Sequence, residues 1–206
     1  MIIKPFGPEI YKTELSQSVC EKLEQIILQN QLNETNKVNK QLAGFVSNEI
    51  NILSEISIEI LPVLKNIAID YLNTSKSFIE KFKPFHTRDI ECVASWANIM
   101  QQNEFFPLHN HPTSDIVVVT FPKVEIQTSS PYVTNHNSDP GSLMFSYGEG
   151  LSYFNDSSYI VSPKTRDVFV FPAELKHCTF PIYGNDTRIS TSTNFKFSDY
   201  LKLKLK

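Results

Sequence analysis

His109 and His111 stand two residues apart in the stretch Leu108-His109-Asn110-His111-Pro112-Thr113-Ser114-Asp115. The β-forming run Ile116-Val117-Val118-Val119-Thr120-Phe121 follows at once. In an extended chain the side chains at i and i+2 point to the same face, so both imidazoles can reach one point. A third histidine, His177, comes after another β-type run, Asp167-Val168-Phe169-Val170-Phe171. Imidazole nitrogen is a ligand for iron, zinc, copper and nickel. The pattern therefore points to a metal ion held by His109, His111 and His177 inside a β-barrel. The chain has five histidines, so an H-x-H pair also arises by chance, and other residues must decide. Asp115 is the nearest carboxylate. Alternation puts 109, 111, 113 and 115 on one face, which makes Asp115 an alternative ligand if the chain tightens at Pro112.

Arg188 lies further along the chain, and Ser190, two residues on, shares its face of a strand. The planar guanidinium suits bidentate recognition of a carboxylate, and an arginine buried beside a metal needs an anion. The other use of Arg188 is a surface pair with Glu125 or Asp186. Trp96 and Asn98 also share a strand face. Trp96, the only tryptophan, reads as core, whereas the polar tip of Asn98 suits contact with a metal-bound water or an anionic ligand.

The elements that must position these residues follow from periodicity. Residues 1–12 read as an extended opening strand, with Pro5 and Pro8 blocking a helix. Leu15, Val19, Leu23, Ile26 and Ile27 recur at helical spacing to about Gln31, with Ser16 or Thr13 as cap. Residues 30–41 are polar and Asn-rich, a loop. Ile50, Leu53, Ile56, Ile60, Leu64, Ile67 and Tyr71 form a second apolar stripe over 49–73. Pro62 predicts a break near 57–61 and two helices in place of one. From Phe85 the grammar becomes that of strands: 89–99, 116–121, 142–145, 159–161, 168–171 and 187–195, with Asp139-Pro140-Gly141 as a turn. Short strands separated by turn signals predict a sandwich or barrel. Tyr132, His136 and Tyr153 fall in the long section 122–157, where a lid over a site is expected. The expectation is a single domain over 1–206, with residues 1–84 a helical support region and 85–200 a β core.

Composition narrows the function. With 206 residues the chain can bury a core without staples. A net charge of -3 gives no basic patch for nucleic acid, and Lys202, Lys204 and Lys206 read as a solvated end. Cys20, Cys92 and Cys178 have no metal-type spacing and read as reduced thiols of a cytoplasmic protein. No signal peptide is expected, and no apolar run reaches the ~18 residues of a membrane span.

The order W-x-N (Trp96, Asn98), H-x-H-P-x-S (His109, His111, Pro112, Ser114), Gly141 and Leu143 of a turn and strand, F-P-x-x-x-x-H (Phe171, Pro172, His177) and R-I-S (Arg188, Ile189, Ser190) with Asn194 resembles the 2-oxoglutarate- and iron(II)-dependent oxygenases. It is most similar to a small oxygenase family common in tailed phages and bacteria, over residues 90–197. The resemblance implies a mainly β fold with N-terminal helices, a double-stranded β-helix or jelly-roll barrel of the cupin-like kind. It implies Fe(II) at His109, His111 and His177, with 2-oxoglutarate as co-substrate. Arg188 and Ser190 would hold the distal carboxylate of that acid, and Asn98 would touch it or a metal-bound water. The implied activity is that of a dioxygenase, a hydroxylase that converts 2-oxoglutarate to succinate. A host cytoplasm follows if the protein is phage-encoded. The wider superfamily has a carboxylate where His111 stands; the family resembled has Ser-Gly where Ile116-Val117 stand, and often glycine at Asp167.

Two other readings use the same residues. In a cupin, His109, His111, Asp115 and His177 would all bind the metal, and Arg188 would have no task. In a jelly-roll binding or structural module the histidines would be incidental. The enzymatic reading expects a small-molecule or peptide or protein substrate, with no nucleic acid and no membrane.

Overall fold

The computed structural model describes residues 1–5, 7–38, 44–126, 139–148 and 157–205. In chain order its strands and helices are β1 (Ile2–Ile3), β2 (Ile10–Glu14), α1 (Gln17–Asn30), β3 (Glu49–Asn51), α2 (Leu53–Ile56), α3 (Leu61–Thr74), β4 (Ile90–Met100), β5 (Phe106–His109), β6 (Ile116–Glu125), β7 (Leu143–Ser146), β8 (Ser158–Val161), β9 (Asp167–Pro172), β10 (Lys176–Thr179), β11 (Thr187–Phe197) and α4 (Asp199–Leu205). The strands form two antiparallel sheets. The larger runs β1-β2-β9-β6-β11-β4-β3 and the smaller β5-β10-β7-β8. From β4 to β11 the chain changes sheet at every connection except β7 to β8, a pair within the smaller sheet, which is the jelly-roll order of the double-stranded β-helix that the resemblance implies.

The faces of the larger sheet differ by residue parity, as the pleat requires. Ile116 and Val118 of β6, Val168 and Val170 of β9, and Ile189 and Phe195 of β11 pack against the helices. Their neighbours Val117, Val119, Phe121, Phe169 and Phe171 point the other way, into the space between the sheets, where Leu143 and Phe145 of the smaller sheet meet them. The continuous apolar run of β6 reflects burial on both faces between β9 and β11.

Helix α1 begins at Ser16, whose Oγ accepts the Val19 N–H at 3.3 Å. Its apolar stripe of Leu23, Ile26 and Ile27 joins Leu64, Ala68 and Leu72 of α3 over the outer face of the larger sheet. Pro62 sits in the first turn of α3, where a missing N–H costs least. The expected break is the turn between α2 and α3. The expected helical span over 49–73 needs one correction. Glu49–Asn51 is a strand, paired with β4 through Glu49–Asn98 and Asn51–Trp96. A short apolar run satisfies both periodicities, and an open sheet edge decides for the strand. Residues 199–205 form α4, whose Leu201 is buried against the core, while Lys202 and Lys204 stay at the surface. Among the described residues no helix is long and apolar enough to cross a membrane.

Candidate metal centre and anion pocket

The three histidines meet between the sheets. His109 ends β5 and pairs in register with His177 of β10. His111 lies just beyond β5, its N–H donating to the Ala173 carbonyl at 2.9 Å. The ring centroids are 4.3 Å apart for His109 and His177, 5.1 Å for His111 and His177, and 5.4 Å for His109 and His111. One ligand atom from each lies within 4.8 Å of the others.

Hydrogen bonds to the other ring nitrogens settle which atoms face inward. His109 Nδ1 is 2.7 Å from the Pro107 carbonyl, and His177 Nδ1 is 2.9 Å from the Leu175 carbonyl. A carbonyl only accepts, so both Nδ1 atoms carry the proton and both Nε2 atoms present a lone pair. His111 Nε2 is 3.2 Å from His177 Nε2, a separation two ligands have on one side of an ion with bonds of ~2.1 Å. All three rings are held neutral. Desolvation, the charge of His109 and a partly opposing contact from Asn194 bring His111 down to about 3. Burial lowers His109 as well, and burial followed by the two neighbouring imidazoles lowers His177 far below its ordinary value. Neutral imidazoles with converging Nε2 atoms fit a divalent transition metal.

Asp115 is not brought to this cluster. Residues 111–114 turn, closed by the Ser114 N–H on the His111 carbonyl at 3.1 Å, and the turn breaks the alternation that would have aligned 115 with 111. The Asp115 carboxylate accepts the Phe197 N–H at 2.7 Å and faces Lys202 at 4.0 Å. It fastens the start of β6 to the end of β11, and the fourth cupin ligand is lost with it.

The histidines open on a cavity of about 400 Å³ that Asn98, Arg188 and Ser190 also line. Arg188 is 1% exposed. Its guanidinium lies 4.7 Å above the Phe121 ring, with Nη1 3.1 Å from Met100 Sδ and 3.4 Å from Ser190 Oγ. Its Nε has no hydrogen-bond partner, and among the described residues no acid pairs with it. Burial alone pulls the guanidinium down to about 9. Ser190 pairs across strands with Asn98, whose Oδ1 is likewise buried and unpartnered. A buried guanidinium with an unpartnered N–H, lining this cavity, fits a ligand carboxylate.

Two residues gain a place here that their spacing alone did not assign. Trp96, expected in the core, is half-buried in the cavity wall and stacks on His111 with centroids 5.6 Å apart. Its shared face with Asn98 was the available signal. Asn194, six residues past Arg188 on the same face of β11, places its amide 3.1 Å from His111 Nδ1. Asp167, at a position often glycine in the resembling family, is buried against Lys12 at 2.9 Å and accepts the Lys164 N–H. Tyr132, His136 and Tyr153 lie outside the described residues.

Residues 94–194 match the family described as "Putative 2OG-Fe(II) oxygenase". A search of curated proteins finds no match. Among solved structures the chain is similar to a Pseudomonas putida prolyl-4-hydroxylase, with 13% identity, TM-score 0.61 and 92% of each chain covered. It is similar to the viral collagen prolyl hydroxylase of Paramecium bursaria Chlorella virus-1, solved as a 2-oxoglutarate complex, with 10% identity and TM-score 0.60 over 92% of this chain and 96% of that one. HygX of Streptomyces hygroscopicus, solved with nickel and 2-oxoglutarate, gives 11% identity and TM-score 0.57 over 92% and 83%. At such identities these likenesses are of fold.

Proposed function

We propose that this chain, a member of the 2-oxoglutarate- and Fe(II)-dependent oxygenases through residues 94–194, is a dioxygenase that hydroxylates a small molecule or a peptide or protein side chain. His109, His111 and His177 would hold Fe(II) through Nε2, leaving the cavity side open to other ligands. Arg188, with Ser190 beside it, would bind the distal carboxylate of 2-oxoglutarate, and Asn98 would contact the same molecule. When bound, Fe(II) and 2-oxoglutarate together supply the reduction of dioxygen. The acid loses C1 as CO2 and keeps one oxygen atom as succinate, while the other oxygen atom turns a substrate C–H into C–OH.

The protein's own part is positioning. The carbonyls of Pro107 and Leu175 fix two histidine tautomers. Arg188 would hold one carboxylate of a dicarboxylate in the cavity that it shares with the histidines. Phe106, Val119 and Leu143 line the cavity with apolar surface. The observation that carries this reading is the buried Arg188, which no acid among the described residues pairs with, in the same cavity as the three histidines. A cupin with four protein ligands gives that arginine no task.

The test has two parts. Anaerobic calorimetry should show 2-oxoglutarate binding to the Fe(II)-loaded protein. Succinate should then form in air, slowly alone and faster with the right substrate. No binding heat and no succinate would overturn the proposal.

A further inference from the structure

The three metal-facing rings are not held alike. His109 and His177 each donate Nδ1–H to a carbonyl two residues earlier on their own strand, contacts that no side-chain substitution removes. His111 has no such carbonyl. Its Nδ1 lies 3.1 Å from the side-chain amide nitrogen of Asn194, and Asn194 is buried, its Oδ1 accepting from Ser192 Oγ at 3.4 Å. Trp96 stacks on the ring with centroids 5.6 Å apart, so the ring's plane is set by stacking and its tautomer by Asn194 alone.

An amide can serve Nδ1 in two ways. Its NH2 can donate to a bare Nδ1, which puts the ring proton on Nε2 and blocks that atom as a ligand. Its oxygen can accept Nδ1–H, which leaves Nε2 with a lone pair facing the bare Nε2 of His177 3.2 Å away. Two facing lone pairs at that distance need a cation between them. We infer that Asn194 is a positioning residue: its NH2 faces Nδ1 in the metal-free protein, and on metal binding the amide turns over, so that its oxygen accepts the His111 Nδ1 proton and frees Nε2 as a ligand. This rests on the metal-centre reading. Asn194 also lies on the strand face that carries Arg188 and Ser190, so β11 sets both ends of the site, the carboxylate anchor and the metal ligand.

Cobalt(II) is the probe, with affinity read by calorimetry and ligand field by visible absorption. Asn194→Leu keeps the volume and loses the acceptor. It should weaken cobalt binding about 10- to 100-fold, the usual effect of removing a ligand's outer partner, and alter the absorption bands. Asn194→Asp can only accept, so it should bind cobalt as tightly as wild type or tighter, with the wild-type spectrum. Cobalt affinity unchanged in Asn194→Leu would overturn the inference. So would a tenfold loss in Asn194→Asp, since it would mean that the amide donates; this variant decides the matter even if the leucine variant does not fold. A wild-type protein that takes up no cobalt would overturn the metal-centre reading itself.

Discussion

Arg188→Ala is the sharpest perturbation of this site. In wild type the guanidinium is buried over Phe121 with Nε unpartnered and no described acid beside it. The metal-free, ligand-free protein therefore carries an uncompensated desolvation cost, which the substitution relieves while removing packing on Phe121 and Met100. These effects oppose each other, so the free protein's stability should change little. Ligand binding should change a great deal. Losing one partner of a buried, charge-assisted contact costs ~2–5 kcal/mol. Because Arg188 is 1% exposed, the carboxylate left without it would be poorly solvated, and the upper part of that range applies. At ~1.4 kcal/mol per decade, 2-oxoglutarate affinity should fall more than about 100-fold. The same number appears in thermal shifts. A wild-type protein at a ligand concentration of about 100 Kd gains ~2.7 kcal/mol, and a variant with Kd raised 100-fold gains only ~0.4 kcal/mol at that concentration. Arg188→Lys should recover part of the affinity, since an ammonium keeps the charge but not the fork. Iron binding should persist in both variants. Anaerobic calorimetry of 2-oxoglutarate into the Fe(II) proteins is the assay, and equal affinities in all three would refute the reasoning.

Other outcomes follow from the same geometry. Asp115→Ala should cost about 1–2 kcal/mol of stability through the lost Phe197 contact while metal affinity holds; a loss matching that of His177→Ala would restore Asp115 as a ligand. Leu64→Ala, at a position 0% exposed under the helices, should cost ~2–5 kcal/mol in urea unfolding, and a cost under about 0.5 kcal/mol would put that stripe in water. The metal-free protein should lose stability as pH falls from about 6.5 toward 3. There the unfolded chain takes up histidine protons, which the folded state refuses because His111 is held near 3 and His109 and His177 are also lowered. Each such group contributes up to ~1.4 kcal/mol per pH unit. Stability measured across that range should fall less steeply in His111→Gln; identical slopes would contradict it.

Much of the site was legible because alternation is a strong constraint within a strand. Arg188 with Ser190, and Trp96 with Asn98, each share a face as expected, since β11 and β4 run extended through those residues. The same rule failed at Asp115, where the turn closed by Ser114 lies between it and His111. It under-read Trp96, because a large aromatic fits a core and a cavity wall equally well by composition. Asn194 lay within reach of the rule, two steps beyond Ser190, but what it touches is set by the approach of another sheet. Likewise β3 was hidden in a helical stripe, since pairing with β4 is a long-range decision that local periodicity does not record. The terminal lysines concealed α4 because its anchoring residue, Leu201, is a single apolar side chain among charges.

β11 has a consequence for how such a protein can change over generations. Its odd residues, Ile189 and Phe195 among them, serve the helix-side core, and its even residues, from Arg188 to Asn194, serve the cavity. A single inserted or deleted residue within it would exchange those two sets, putting a guanidinium among isoleucines and an isoleucine where the carboxylate anchor stood. The strand therefore tolerates substitution but not a change of length. Variation in what the protein acts on must accumulate in the connections between strands, which can lengthen and shorten without moving either end of the site.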